Sequence, residues 1–131
     1  MEATSNKVGG VLLRVAGQLV YVAAADAVKL APIPHITRVP GAPEGLLGVA
    51  LLEGEILPVV SIGSERESML VCTHAGALLG IVGGSVVETG MFDTTPDGMS
   101  ARYGEEIATT LDVPSLCAKT SPPSWGGRWL S

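Results

Sequence analysis

Apolar runs of five to seven residues, parted by short polar inserts that contain glycine, recur through the first two thirds of the chain. Residues 11–15 and 19–23 flank Ala16-Gly17-Gln18, residues 46–52 and 56–60 flank Glu53-Gly54-Glu55, and residues 69–73 and 77–82 flank His74-Ala75-Gly76. Each unit predicts a β-hairpin, because a tight insert with glycine between β-branched runs turns the chain back on itself. Tyr21 is expected to pack inward with its hydroxyl either wet or bonded. Arg38-Val39 enters the second hairpin extended, since a residue before proline is pushed out of the helical region, and Pro40-Gly41-Ala42-Pro43 forms a stiff surface turn. Pro58 has no N–H to give to a ladder, which predicts a sheet edge or the non-bonded side of a strand.

Other segments carry weaker patterns. Residues 23–31 are alanine-rich, open near Asp26 and stop at Pro32, which predicts a short helical turn. Residues 63–68 (GSERES) read as a charged connection and the boundary between two subdomains. Gly83-Gly84 predicts a bulge or barrel corner before a strand at 85–88, residues 89–104 read as a polar loop, and 105–111 as a last strand. Asp112 is placed to cap a final turn, VPSLC. Residues 1–10 and 119–131 are polar or rich in Ser, Pro and Gly and are expected to be flexible ends, leaving one domain at 11–118. Trp125 and Trp129 stand four apart on that tail, as a dock or as a partner anchor.

Composition narrows the architecture. A chain of 131 residues with 47% hydrophobic but only 4% aromatic residues, 17 Gly and 9 Pro, must build its core from Val, Leu, Ile and Ala and turn often. Short strands with glycine corners expose edges unless the sheets close, so a pair of small β-barrels is expected. The net charge of −5 and eight scattered Lys and Arg leave no basic stripe for phosphates, which argues against nucleic acid. No apolar run reaches the roughly 18 residues that span a bilayer, and the N-terminus lacks a signal-peptide design, so a cytoplasmic protein without membrane insertion is expected.

Candidate chemistry is thin. Cys72 and His74 lie two apart, on one side of a strand, which suits a thiolate–imidazole pair or half a metal site, but no third ligand accompanies them. Cys72 and Cys117 read as buried small hydrophobes rather than a bridge. His35 has no partnered nucleophile. The twinned acids Glu53 with Glu55, Glu65 with Glu67 and Glu105 with Glu106 sit in turns or at strand starts, where nothing apolar raises a carboxylate pKa. Gly80 to Gly84 precedes no helix and cannot cradle phosphate. No catalytic residues, metal or cofactor are therefore expected; an enzyme would rest only on Cys72 with His74 and on the twinned acids, and a small-ligand barrel would demand a polar-lined cavity, which the core composition argues against.

The stretch from Val39 through Pro43, Gly48-Val49 and Leu52 to Pro58-Val59 resembles the CheW family, the coupling proteins of bacterial chemosensory arrays. Tyr21, Val28, Gly80-Ile81-Val82, Gly104 and Leu111-Asp112 to Leu116 extend the resemblance over about residues 11–117. It implies a mainly β fold of two small SH3-like five-stranded barrels sharing a core. It also implies a non-catalytic adaptor between the helical tip of a methyl-accepting receptor and the regulatory domain of a histidine kinase or another CheW-like protein. The receptor groove of the family lies between the barrels, which assigns partner contacts to Val28, Leu30, Val49, Leu51 and Glu53, although strand apolars read equally as core.

The family's polar positions are rewritten here. Its N-L-R-G reads Leu51-Leu52-Glu53-Gly54, its P-V-x-D reads Pro58-Val59-Val60-Ser61, its V-D reads Gly83-Gly84, and its V-x-E-I acid reads Leu30. The connection at 63–68 is also shorter than the family's. These departures resemble the FrzB type of a gliding-motility pathway and imply that kinase coupling is weakened or lost while receptor binding remains.

Overall fold

A computed structural model describes residues 6–42 and 45–120. The strands are β1 (Asn6–Val15), β2 (Gln18–Ala23), β3 (Ala27–Ala31), β4 (Ile36–Thr37), β5 (Leu46–Leu52), β6 (Glu55–Ser61), β7 (Met69–His74), β8 (Ala77–Val82), β9 (Ser85–Thr94), β10 (Ser100–Tyr103) and β11 (Glu106–Thr110). One helix, α1 (Val113–Thr120), follows them. Strands β1, β2, β11, β10 and β9 form a closed barrel, and the rest form a six-stranded sheet in the order β3-β7-β8-β6-β5-β4.

That second sheet is rolled. Its outermost strands, β3 and β4, are joined by only residues 32–35. Five chain steps reach at most about 18 Å, whereas the edges of a flat six-stranded sheet lie about 24 Å apart. The chain therefore brings the two edges together, and β3 with β4 acts as one strand broken at Pro32 and Pro34. The expected five-stranded barrel is present in this form, its fifth strand shared between two partners.

Alternation along the strands divides the core in three. Leu12 and Tyr21 point into the first barrel with Leu19, Phe92, Ala101 and Ala108. Their neighbours Leu13 and Val22 point the other way, to a layer between the barrels. In the second barrel Val59, Met69, Val71 and Val82 face inward with Leu57, while Val60, Leu70, Cys72 and Ile81 meet Leu13 and Val22 in the shared layer. The period of two thus makes each of these strands serve two cores. Val113 of α1 is fully buried in the shared layer, and Asp112 caps the helix, accepting the Ser115 N–H at 3.1 Å.

Several expectations need correction. The alanine-rich segment 23–31 is not helical: β2 runs to Ala23, Asp26 bonds back to Ala23 in a turn, and β3 pairs with β7. Alanine's helix preference is worth only tenths of a kcal/mol per residue, less than a ladder and the burial of Ala31 supply. The supposed polar loop at 89–104 contains most of β9 and all of β10, because β9 pairs with β1 from Asn6 to Arg14 and, past Val87, turns only Phe92 inward. Residues 6–10, expected outside the fold, are the start of β1. The connection at 63–68 joins β6 to β7 within one sheet. The chain passes between sheets instead at 24–26 and at Gly83-Gly84, where a Cβ on Gly83 would strike the Gly63 backbone. Pro58 meets the second of its two expected placements: it lies inside the sheet opposite Val49 but outside the ladder between β6 and β8, which opens at Val59. The two tryptophans of the tail lie outside the described residues.

Candidate protein-docking site

The β5–β6 hairpin turns through Glu53-Gly54, with φ of 53° and 85°. Positive values at both positions define the type I′ turn that fits the twist of two strands. The turn sets Leu52 opposite Glu55 and Leu51 opposite Ile56. A bulge between Leu46 and Gly48 shifts the alternation, so that Ala50 and Leu52 face the barrel interior and Val49 and Leu51 face outward. Val49 still reaches the shared core. Leu51, farther toward the hairpin tip, is 64% exposed, and Ile56 beside it is 68% exposed. Two large apolar side chains, paired across adjacent strands, are thus left in water at one tip of the second barrel.

Between the barrels runs a groove of about 190 Å³, lined by Val11 and Thr89 from the first barrel and by Lys29, Leu30 and Leu70 from the second. Leu30 sits opposite Leu70 on the outward face of β3 and remains 42% exposed. Lys29 connects the two features: it lines the groove, and its Nζ pairs with Glu53 Oε2 at 2.5 Å across the broken edge of the barrel.

Of the residues assigned from the sequence, Leu30 therefore lines the groove, Leu51 and Glu53 stand at the hairpin tip tied to it through Lys29, and Val49 is largely core. Val28 belongs to β3 at a register shift, and its side chain lies outside the described residues. Sequence reasoning missed Lys29 and Ile56. Ile56 was within reach, since a two-residue turn at Glu53-Gly54 pairs position 51 with position 56; Lys29 was not, because its partner is brought close only by barrel closure.

The other candidates do not assemble into a chemical site. Cys72 is fully buried, and burial pushes its thiol up to about 12, so a nucleophilic thiolate is not available. His74 ends β7 on the surface, and His35 is exposed. Burial also raises the Cys117 thiol. Glu106 is held below the usual carboxylate range by its hydrogen bonds from Arg14, at 3.0 and 3.3 Å, a surface pair rather than an acid–base couple. Among the described residues no three His, Cys, Asp or Glu are grouped to hold a metal. A larger cavity of about 360 Å³ lies on the first barrel near Thr95, Pro96, Arg102 and Ile107, away from every residue assigned from the sequence. Among the described residues no helix is long and apolar enough to cross a membrane.

Comparison with known proteins places these features in context. The profile of the CheW-like domain matches residues 9–119. A comparison with curated protein sequences finds no match. Among solved structures, the chain is similar to the scaffolding protein TtCheW from Thermoanaerobacter tengcongensis, with a TM-score of 0.68 and 16% identity over 80% of this chain and 88% of that one. A likeness at that identity speaks to the fold, and it agrees with the two rolled sheets and their shared core.

Proposed function

Because the chain belongs to the CheW-like domain family, we propose that it is a non-catalytic adaptor of a bacterial chemosensory array, receiving the helical tip of a methyl-accepting receptor along the groove and the β5–β6 tip. The observation that carries this reading is the exposed Leu51–Ile56 pair beside a groove lined by Leu30 and Leu70. Helix recognition needs a concave apolar strip with projecting anchors, and the exposed Leu30, Leu51 and Ile56 supply it, with the buried Leu70 behind Leu30.

Covering an aliphatic side chain of this size contributes roughly 1.5 to 3 kcal/mol, which corresponds to about 10- to 100-fold in affinity. Leu51→Asp should weaken receptor-tip binding by at least about tenfold while leaving the melting temperature unchanged, since Leu51 already faces water. Unaltered affinity in a calorimetric titration of the folded variant removes Leu51 from the interface.

Coupling to the kinase is weakened or lost in this reading. Glu53 replaces the arginine of the family pattern, and a carboxylate cannot offer the planar fork of donors that a guanidinium gives. Glu53 is also engaged by Lys29. The short 63–68 connection offers little to a neighbouring domain, because Arg66 folds back onto the Gly63 and Glu65 carbonyls at 3.0 and 2.8 Å. Low-micromolar binding of a cognate kinase regulatory domain by the wild-type protein would establish the alternative, a full receptor-to-kinase coupling protein.

A further inference from the structure

The charges around the exposed apolar pair point to the kind of helix this surface selects. Glu53 and Glu55, both exposed, lie between Leu51 and Ile56 at the hairpin tip, and Lys29 pairs with Glu53. Two carboxylates against one ammonium leave the tip net negative. The Lys29–Glu53 pair is itself open to solvent, with side-chain exposures of 39% and 70%. Exposed pairs of this kind contribute about 1 kcal/mol or less, so an incoming cation can take Lys29's place at Glu53 without a large loss, and among the described residues Glu55 has no ion pair to surrender.

Resting on the adaptor reading above, we infer that the β5–β6 tip is a specificity element that selects a helical partner carrying lysine or arginine beside its apolar anchor and disfavours one carrying aspartate or glutamate there. Charges at the edge of an apolar contact discriminate between partners more than they add affinity, because a like charge brought beside the anchor is penalised while an opposite one is rewarded. The surface charge of the tip, and not the groove, then decides which receptor is accepted. Leu30 and Leu70 supply the groove's large apolar side chains whatever the partner's charge.

The test uses the full chain and two synthetic helical hairpins with identical apolar residues, one with lysine and one with glutamate flanking the anchor position. In 20 mM salt the lysine hairpin should bind about five- to tenfold more tightly, a preference that shrinks to under about twofold in 0.5 M salt as screening removes the charge term. The double variant Glu53→Lys, Glu55→Lys should reverse the preference. Its sites are exposed, and a melting curve reports whether it folds; the wild-type comparison decides the question even if it does not. Equal binding of the two hairpins, or tighter binding of the glutamate one, overturns the charge selection and leaves the adaptor reading standing. Binding of neither hairpin overturns both.

Discussion

The two barrels close in different ways, and the difference decides which side chains are left at an accessible edge. The first is sealed by backbone: β11 meets β2 in a short parallel ladder, Thr109 with Val20 and Thr110 with Tyr21, and the ring of strands is complete. Its interior is built on aromatics, with Tyr21 and Tyr103 set edge-on to Phe92 at 6.0 and 6.4 Å. The second barrel is completed by a strand broken at two prolines, with the exposed Lys29–Glu53 ion pair across that seam, and its interior is aliphatic and includes the buried Met69. A closed ring has no free edge to offer, whereas a seam leaves side chains such as Lys29, Leu30 and Leu51 at a boundary where another molecule can reach them.

The sharpest way to break this contrast is to add one methyl group to each interior. A Cβ on Gly10 would meet the Tyr21 ring and approach the Val22 carbonyl oxygen to 2.6 Å. Neither a packed ring nor a backbone carbonyl can step aside, so Gly10→Ala should cost about 3 kcal/mol or more. A Cβ on Gly80 meets the Met69 thioether at 2.5 Å, a side chain with rotatable bonds on both sides. Gly80→Ala should cost about 1 kcal/mol. Urea titrations of the two variants compare these costs directly, and equal losses would mean that the two interiors are equally rigid.

A second measurement probes the layer between the barrels. The Cys72 thiol there is raised from an ordinary value near 9.0 to about 12 by burial first, with the Asp26 charge adding to it. A group whose folded pKa is raised stabilises the native state below its unfolded pKa and loses that contribution as pH climbs toward the folded value. Stability should therefore fall by about 2 kcal/mol more between pH 9 and 10.5 in the wild type than in Cys72→Ala. Parallel curves for the two proteins would remove Cys72 as the source of alkaline sensitivity.

Smaller effects test each barrel alone. Tyr21 donates its hydroxyl to the Gly9 carbonyl at 2.9 Å, and Tyr21→Phe should lower stability by about 1 kcal/mol by leaving that acceptor with one partner fewer. In the second barrel, Ala75 holds a φ of 52° in the turn between β7 and β8, a region that costs alanine more than asparagine. Ala75→Asn should raise the melting temperature slightly, by about 0.5 kcal/mol in stability, and a lower one would show that the turn is held by something other than its own backbone preference.

The three hairpins could be read from the sequence because each is local: an X-Gly turn and two apolar runs hold all the information that sets the register. The inward Tyr21 and the Asp112 cap followed from equally local chemistry. What could not be read depended on distant pairing. Strand β3 looks helical until β7 is set beside it, and β9 looks like a loop because its outward face is polar and only Phe92 marks the inside. The same limit applied at the candidate site. Leu51 and Glu53 were assigned from a family pattern, but nothing local tells that Leu51 stays in water while Val49, two residues earlier, reaches the core, or that Lys29 would cross a barrel seam to reach Glu53.

The order of the strands carries one more consequence, for how the molecule comes to exist. The second barrel is a continuous segment, β3 through β8, inserted into a first barrel whose strands come from both sides of it. Closing the first barrel means joining β1 to β9 and β2 to β11 across that entire insertion, a long loop whose entropy is recovered only once its ends have met. The segment between can pair its neighbours early and shorten the loop for them. In a pulsed hydrogen-exchange experiment the amides of Val59 and Ile81 should gain protection before those of Leu12 and Ala108. The inserted barrel would then be the template on which the sealed one is completed.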